Sequence, residues 1–182
     1  MVFDIFTFVE ALWIILPAYA ANGLVPLIGL KTGLHPIDGG RSRNGKRILG
    51  DGKSWEGLIA GAVIGMVIGI VQMLAFPLLP WGVSPVPLEI VAMSPLLGFL
   101  LGFGAMVGDI AASFFKRRIG MKRGGSAPIL DQDDFVVGAL VFAALLVFVK
   151  AEWFVLLLIL TPIFHYFASF IGYKVKIKKT PW

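Results

Sequence analysis

The sequence predicts an all-α integral membrane protein of about five transmembrane helices, in which two charged cytoplasmic loops form the site. Three observations carry this expectation. The chain has 182 residues, 58% of them hydrophobic and only 15% charged, against about 45–50% apolar and about 25% charged in soluble domains. The apolar residues gather into five runs separated by short polar or proline-rich breaks. The basic residues are one-sided: with five spans, 15 of the 16 lysines and arginines fall on one face, and only Lys150 falls opposite.

The elements follow in order. A spanning helix needs about 20 mostly apolar residues, and the first run, 6–30, supplies them. It lacks the basic region and small-residue cleavage site of a signal peptide, so it is expected to stay in the mature protein. No residue from Gly57 to Leu88 is charged, which gives a second helix over 57–79. Pro77, Pro80, Pro85 and Pro87 then mark a turn. A third helix covers 91–115 and contains a single acid, Asp109. A fourth covers 134–149, Lys150 and Glu152 make a tight turn, and a fifth covers 153–173. The charged loops are 31–56 and 116–133, and a basic tail occupies 174–182. By the positive-inside rule the loops and tail are cytoplasmic, so the protein is a multi-pass cell-membrane protein with its N-terminus outside and its C-terminus cytoplasmic. Four or six spans would scatter the basic residues over both faces.

Within the spans, Gly61, Gly65 and Gly69 make a GxxxGxxxG face suited to close helix packing. His165, in the fifth helix, reads as a structural, hydrogen-bonded histidine, and Asn22 as a cross-helix or cavity residue.

The first loop contains Gly50-Asp51-Gly52-Lys53-Ser54-Trp55-Glu56-Gly57. Its glycines let backbone N–H groups approach a ligand, and Lys53 supplies a point charge for phosphate. It is not a P-loop: the first glycine of that motif would fall at Arg47, and no strand precedes it. A bland alternative makes this loop a solvated basic segment touching anionic headgroups. Asp109 is harder to explain that way. It lies about two turns before Lys116, roughly 10 Å inside the helix end, and ionisable groups at that depth usually face a cavity or a partner. Asp131, Asp133 and Asp134 stand just before the fourth helix on the same side. One acid there would serve as a cap; three with a fourth inside the membrane repel one another unless a cation sits between them. Oxygen ligands of this kind suit Mg²⁺. Acids of this kind among basic residues are what a nucleoside triphosphate with Mg²⁺ requires.

Two separated blocks resemble a known family. Ser113-Phe114-Phe115-Lys116-Arg117, then Lys122, then Asp131 and Asp134 three apart, resemble the signature of the CDP-diglyceride synthetases; Gly52-Lys53-Ser54-Trp55-Glu56-Gly57 resembles a second block of that family. The short chain, Pro36-Ile37-Asp38 and Ile48-Leu49-Gly50-Asp51 look like its archaeal branch, the CDP-archaeol synthases. The chain departs from the bacterial-type signature at Arg123 (an acid there), at Gln132 (an arginine there), and in lacking His-Gly-Gly before the closing acids.

The resemblance implies a nucleotidyltransferase that moves CMP from CTP to an isoprenoid ether-lipid phosphate, giving CDP-archaeol and pyrophosphate. It implies Asp109, Asp131 and Asp134 as Mg²⁺ ligands, with Asp133 as an additional acid. Lys53, Lys116, Arg117 and Lys122 would hold phosphates, and Ser54, Glu56 and Ser113 would support nucleotide or metal. Arg41, Arg43, Lys46 and Arg47 are read as facing the membrane surface. CTP, the lipid phosphate and membrane lipid are the expected partners; no nucleic acid is expected, and a homodimer is left open. The alternatives are a phosphatidate cytidylyltransferase acting on diacyl lipid and a transporter with Asp109 on its ion path. A CDP-alcohol phosphotransferase fits less well, because Asp38-Gly39-Gly40-Arg41 lacks the continuation of that signature.

Overall fold

The computed structural model describes residues 4–29, 35–43, 46–49, 52–79, 88–120 and 130–174. The protein is an all-helical membrane bundle: α1 (Ile5–Gly29), α2 (Trp55–Ala75, prolonged by a 3₁₀ turn over Phe76–Leu78), α3 (Pro95–Arg118), α4 (Leu130–Ala143) and α5 (Ala151–Lys174). The segment before α2 carries two strands of two residues each, β1 (Ser42–Arg43) and β2 (Lys46–Arg47), paired antiparallel. Among the described residues, four helices, α1, α2, α3 and α5, are long and apolar enough to cross a membrane. At 14 residues, α4 is not. Hydrogen bonds such as Val147 N to Ala143 O continue its coil through a further turn.

Local chemistry sets the boundaries. Ser54 precedes α2 and Ser94 precedes α3, each accepting from the third residue on, Gly57 N and Leu97 N, at 3.1 Å. Such a cap satisfies one of the N–H groups that a helix start leaves unpaired. Pro95 sits just inside the cap, where its missing N–H costs nothing. α4 starts at Leu130, four residues before the expected 134, so Asp131, Asp133 and Asp134 belong to its first turns and do not precede them. It also ends at Ala143, short of the expected 149.

The helices meet through glycine. A Cβ at Gly65 would collide with the Gly98 carbonyl and sit 2.7 Å from Gly102 Cα, so α2 and α3 approach backbone to backbone. The GxxxGxxxG face of α2 therefore packs onto Gly98 and Gly102 of α3. The opposite stripe of α2, Ile59, Val63, Val67, Val71 and Leu74, is exposed. A continuous apolar stripe of that kind belongs against lipid. A second α3 pair, Gly104 and Gly108, meets Gly138 of α4 in the same manner. Pro17 lacks the N–H that would bond Trp13 O, and the buried Gln72 of α2 donates to that carbonyl at 2.6 Å instead.

One end of the bundle is closed by a charged clasp. Glu10 accepts from Glu89 N (2.6 Å), Lys150 Nζ (2.8 Å) and Trp153 Nε1 (2.9 Å), and Lys150 also reaches Glu89 at 2.9 Å. Burial pulls the Lys150 pKa down, but its bonds to the two glutamates outweigh that and raise it above the usual lysine value. The clasp gathers the start of α1, the α2–α3 connection and the α4–α5 connection at one end. The 35–54 segment and the facing ends of α3 and α4 lie at the other. Successive helices therefore run in alternating directions. Glu10→Ala leaves Trp153 without its partner and Lys150 with only the exposed Glu89. It is expected to cost about 3 kcal/mol of stability in a denaturant titration. Ligand affinity at the far end, roughly 20 Å along α1, should not change.

Candidate active site

The site is built where α3 crosses α4 at the basic end. On α3, Asp109, Ser113 and Lys116 are spaced i, i+4, i+7 and share one face. Ser113 and Lys116 are both buried. Gly108 is what lets α4 come close: a Cβ there would collide with the Asp134 carbonyl oxygen and lie 3.1 Å from Gly138 Cα. That contact brings Asp134 within electrostatic reach of Asp109, Lys116 and Lys53. Asp134 Oδ2 is buried and has no hydrogen-bond partner, an arrangement that is costly for a carboxylate unless a cation completes it.

Lys53 comes from the preceding segment. Residues 35–37 run alongside 53–55: Ile37 N donates to Lys53 O (2.9 Å), Trp55 N donates to His35 O (3.1 Å), and Pro36 bridges Ser54. This clamp aims Lys53 inward, where its Nζ lies 2.5 Å from Asp109 Oδ2. A narrow pocket around the pair is lined by Val25, Gly52, Ser54 and Met106.

Several candidates occupy structural positions. The Ser54 hydroxyl serves as the α2 cap. Glu56 accepts from the backbone N–H of His35 at 3.0 Å and lies 2.5 Å from its Nδ1, so it ties the segment to the start of α2. Asp133 and Asp134 are consecutive and therefore point about 100° apart on the helix. Asp133 is buried, has an unpartnered Oδ1 and acts on Tyr19 of α1. Arg117 is half-buried one residue past Lys116. Lys122 and the side chain of Asp131 lie outside the described residues, as do the side chains of Arg43 and Lys46. Among the described residues, no group of three or more acids and histidines has the arrangement of a complete metal shell.

Asp38 went unassigned in the sequence, and Arg47 was expected at the membrane surface. The Asp38 carboxylate is 1% exposed. It accepts from Arg47 Nη2 (2.8 Å), Leu49 N (3.0 Å) and Gly40 N (3.0 Å). Gly39 and Gly40 take φ of 57° and 77°, which side chains rarely tolerate. An aspartate followed by two glycines is a turn signal, but its arginine partner nine residues on could not be read from spacing. Asp38→Ala is expected to loosen the 35–54 segment and unseat Lys53. The measurable result is faster amide hydrogen exchange at Ile37 and Trp55, whose N–H groups tie the segment to Lys53 and His35.

Comparison with known proteins identifies a family for the whole chain. The family model for CarS-like CDP-archaeol synthases matches residues 2–182. CDP-archaeol synthase of Thermococcus gammatolerans is 42% identical over 94% of this chain and 95% of its own. That of Halobacterium salinarum is 41% identical over 97% of each. A solved structure, described as an intramembrane enzyme for archaeal membrane lipids biosynthesis, aligns with TM-score 0.72 and 34% identity. It covers 88% of this chain and 93% of the other. A glycine-tightened helix crossing with paired acids and lysines, and full-length similarity to these enzymes, lead to one conclusion: the chain belongs to the CDP-archaeol synthase family.

Proposed function

We propose that this protein transfers CMP from CTP to an isoprenoid ether-lipid phosphate, forming CDP-archaeol and releasing pyrophosphate, with its basic end in the cytoplasm. The observation that carries the chemistry is the buried, unpartnered Asp134 oxygen beside Asp109, flanked by Lys53 and Lys116. Two carboxylates with a vacant lone pair fit a hard divalent cation. Asp109 and Asp134, with Asp131, would hold Mg²⁺, and Asp133 would stand behind them as a further acid. Bound Mg²⁺ supplies neutralisation of triphosphate charge and a template for in-line displacement.

The residues account for the rest. The lipid phosphate, with a second pKa of about 6, is already largely dianionic at neutral pH, so it needs no general base. An oxygen of that phosphate forms a bond to the α-phosphorus of CTP. The bond from the α-phosphorus to the bridging oxygen breaks, and pyrophosphate leaves with the electron pair. Two anions must be held together for this, and Lys53, Lys116, Arg117 and Lys122 would offset their repulsion. Lys53 would exchange its bond to Asp109 for one to phosphate. Ser54, Glu56 and Ser113 would hold the surrounding backbone and side chains in register. Rate enhancement then comes from orientation and preorganised charge.

Product analysis tests the reading. Protein in lipid nanodiscs, given CTP and Mg²⁺, should convert digeranylgeranylglyceryl phosphate into a CDP-lipid, detected by mass. A preference for diacyl phosphatidate over the ether lipid would move the assignment to phosphatidate cytidylyltransferase. No CDP-lipid from either acceptor would sink it.

A further inference from the structure

A second space opens on the other side of α1. It lies between α1, α4 and α5 and encloses about 710 Å³, within the range of small-molecule sites. It runs from Leu12 to Pro26, 14 residues, or about 21 Å along α1. That exceeds half of a roughly 30 Å hydrocarbon core. Two elements line both this groove and the catalytic site: α1 gives Pro26 to the groove and Val25 to the catalytic pocket, and α4 gives Phe135 to the groove next in sequence to Asp134.

The lining grades from polar to apolar along its length. Asn22, His165 and Ser169 stand toward the basic end, and Leu12 and Leu16 line the deep end. Between them, Tyr19 and Thr161 are 2.9 Å apart. Thr161 spends its proton on Leu157 O at 2.6 Å, so the Tyr19 hydroxyl is the donor to Thr161. With that proton committed, Tyr19 offers the groove chiefly a ring, packed against Phe135 and Phe164. A wholly polar ligand has little to bond beyond the mouth. An amphiphile with a short polar head and a long chain matches the gradient.

We propose that this groove seats the acceptor lipid: its isoprenoid chain lies along Leu16, Tyr19 and Phe164, and its glycerol ether lies near Asn22 and His165. The lipid's anionic head then points toward the basic end of the bundle, where Lys53 lies beside Val25 of α1. The inference rests on the lipid-phosphate reading above and adds to it the residues that select the acceptor.

Two substitutions fill the groove without touching the site. Ala168 is exposed on its wall, and a Cβ at Gly23 meets nothing within 4 Å. Ala168→Trp and Gly23→Leu should each raise the apparent KM for digeranylgeranylglyceryl phosphate about tenfold. The KM for CTP should stay unchanged, which also reports an intact fold. Ile159→Trp, on an exposed part of α5 outside the groove, should alter neither constant. In the wild type, a lipid phosphate carrying a mid-chain diazirine should label groove residues on α1 and α5. Active wild-type protein with equal lipid KM in all three variants, or label confined to the α2 face, overturns the groove while leaving the transferase reading intact. A groove closed by a second copy would instead show labelled sites only outside it and a dimer that the two variants dissociate, which also overturns the proposal. Absence of any transfer by the wild type removes both.

Discussion

Asp134→Asn is expected to lower CMP transfer about 1,000-fold while leaving the protein as stable as the wild type or more so. The two halves of this result have one cause. Asp134 Oδ2 is buried without a hydrogen-bond partner and stands in the field of a second acid, Asp109. Such a carboxylate weakens the fold, because desolvation of its charge is not repaid by a bond. An amide of the same shape removes the charge, and with it the affinity for a divalent cation. A residue retained for packing would behave in the opposite way, with stability falling and any loss of turnover following from unfolding. Turnover and a thermal melt, measured on the same preparation, separate the two.

Gly108→Val should be nearly as damaging by a different route. Its first added carbon collides with the Asp134 carbonyl oxygen, and that atom belongs to the α4 backbone and cannot rotate away. Relief therefore needs α4 to move off α3 as a body. Overpacking of this kind costs about 1–3 kcal/mol. The shift also carries Asp134 away from Asp109, and misplacement by about 1 Å costs around 100-fold in rate. The expected variant folds less stably, binds CTP with Mg²⁺ poorly and turns over slowly. Gly23→Ala, where the added carbon meets no neighbour, controls for glycine replacement as such.

The contrast between these residues shows what the sequence could and could not reveal. The helices were legible because a bilayer demands long apolar runs. Asp109 stood out because a charge inside an apolar run is expensive. The packing role of Gly61, Gly65 and Gly69 could be read from spacing on one helix. Their partners on α3 could not, because matching two helices in register is a tertiary property. The first turn of α4 was missed for a related reason. Three aspartates favour a helix N-terminus whether they precede it or belong to it. Asp38 with Arg47, and Glu10 with Lys150 and Trp153, unite residues 9 to 143 positions apart. Nothing in local composition marks such pairs. Asn22 could be read as a cavity residue, and it does line one, but the α5 residues that share that space, His165 among them, could not be matched to it from sequence.

The central claim is that the charged end of the bundle joins CTP to a lipid phosphate. Its most direct test is pyrophosphate release by the purified protein in nanodiscs. Each of CTP, Mg²⁺ and digeranylgeranylglyceryl phosphate is left out in turn, and Asp109→Asn runs beside the wild type. The account predicts release that requires all three components and falls to background in the variant. Release without lipid, or full activity in Asp109→Asn, would contradict it.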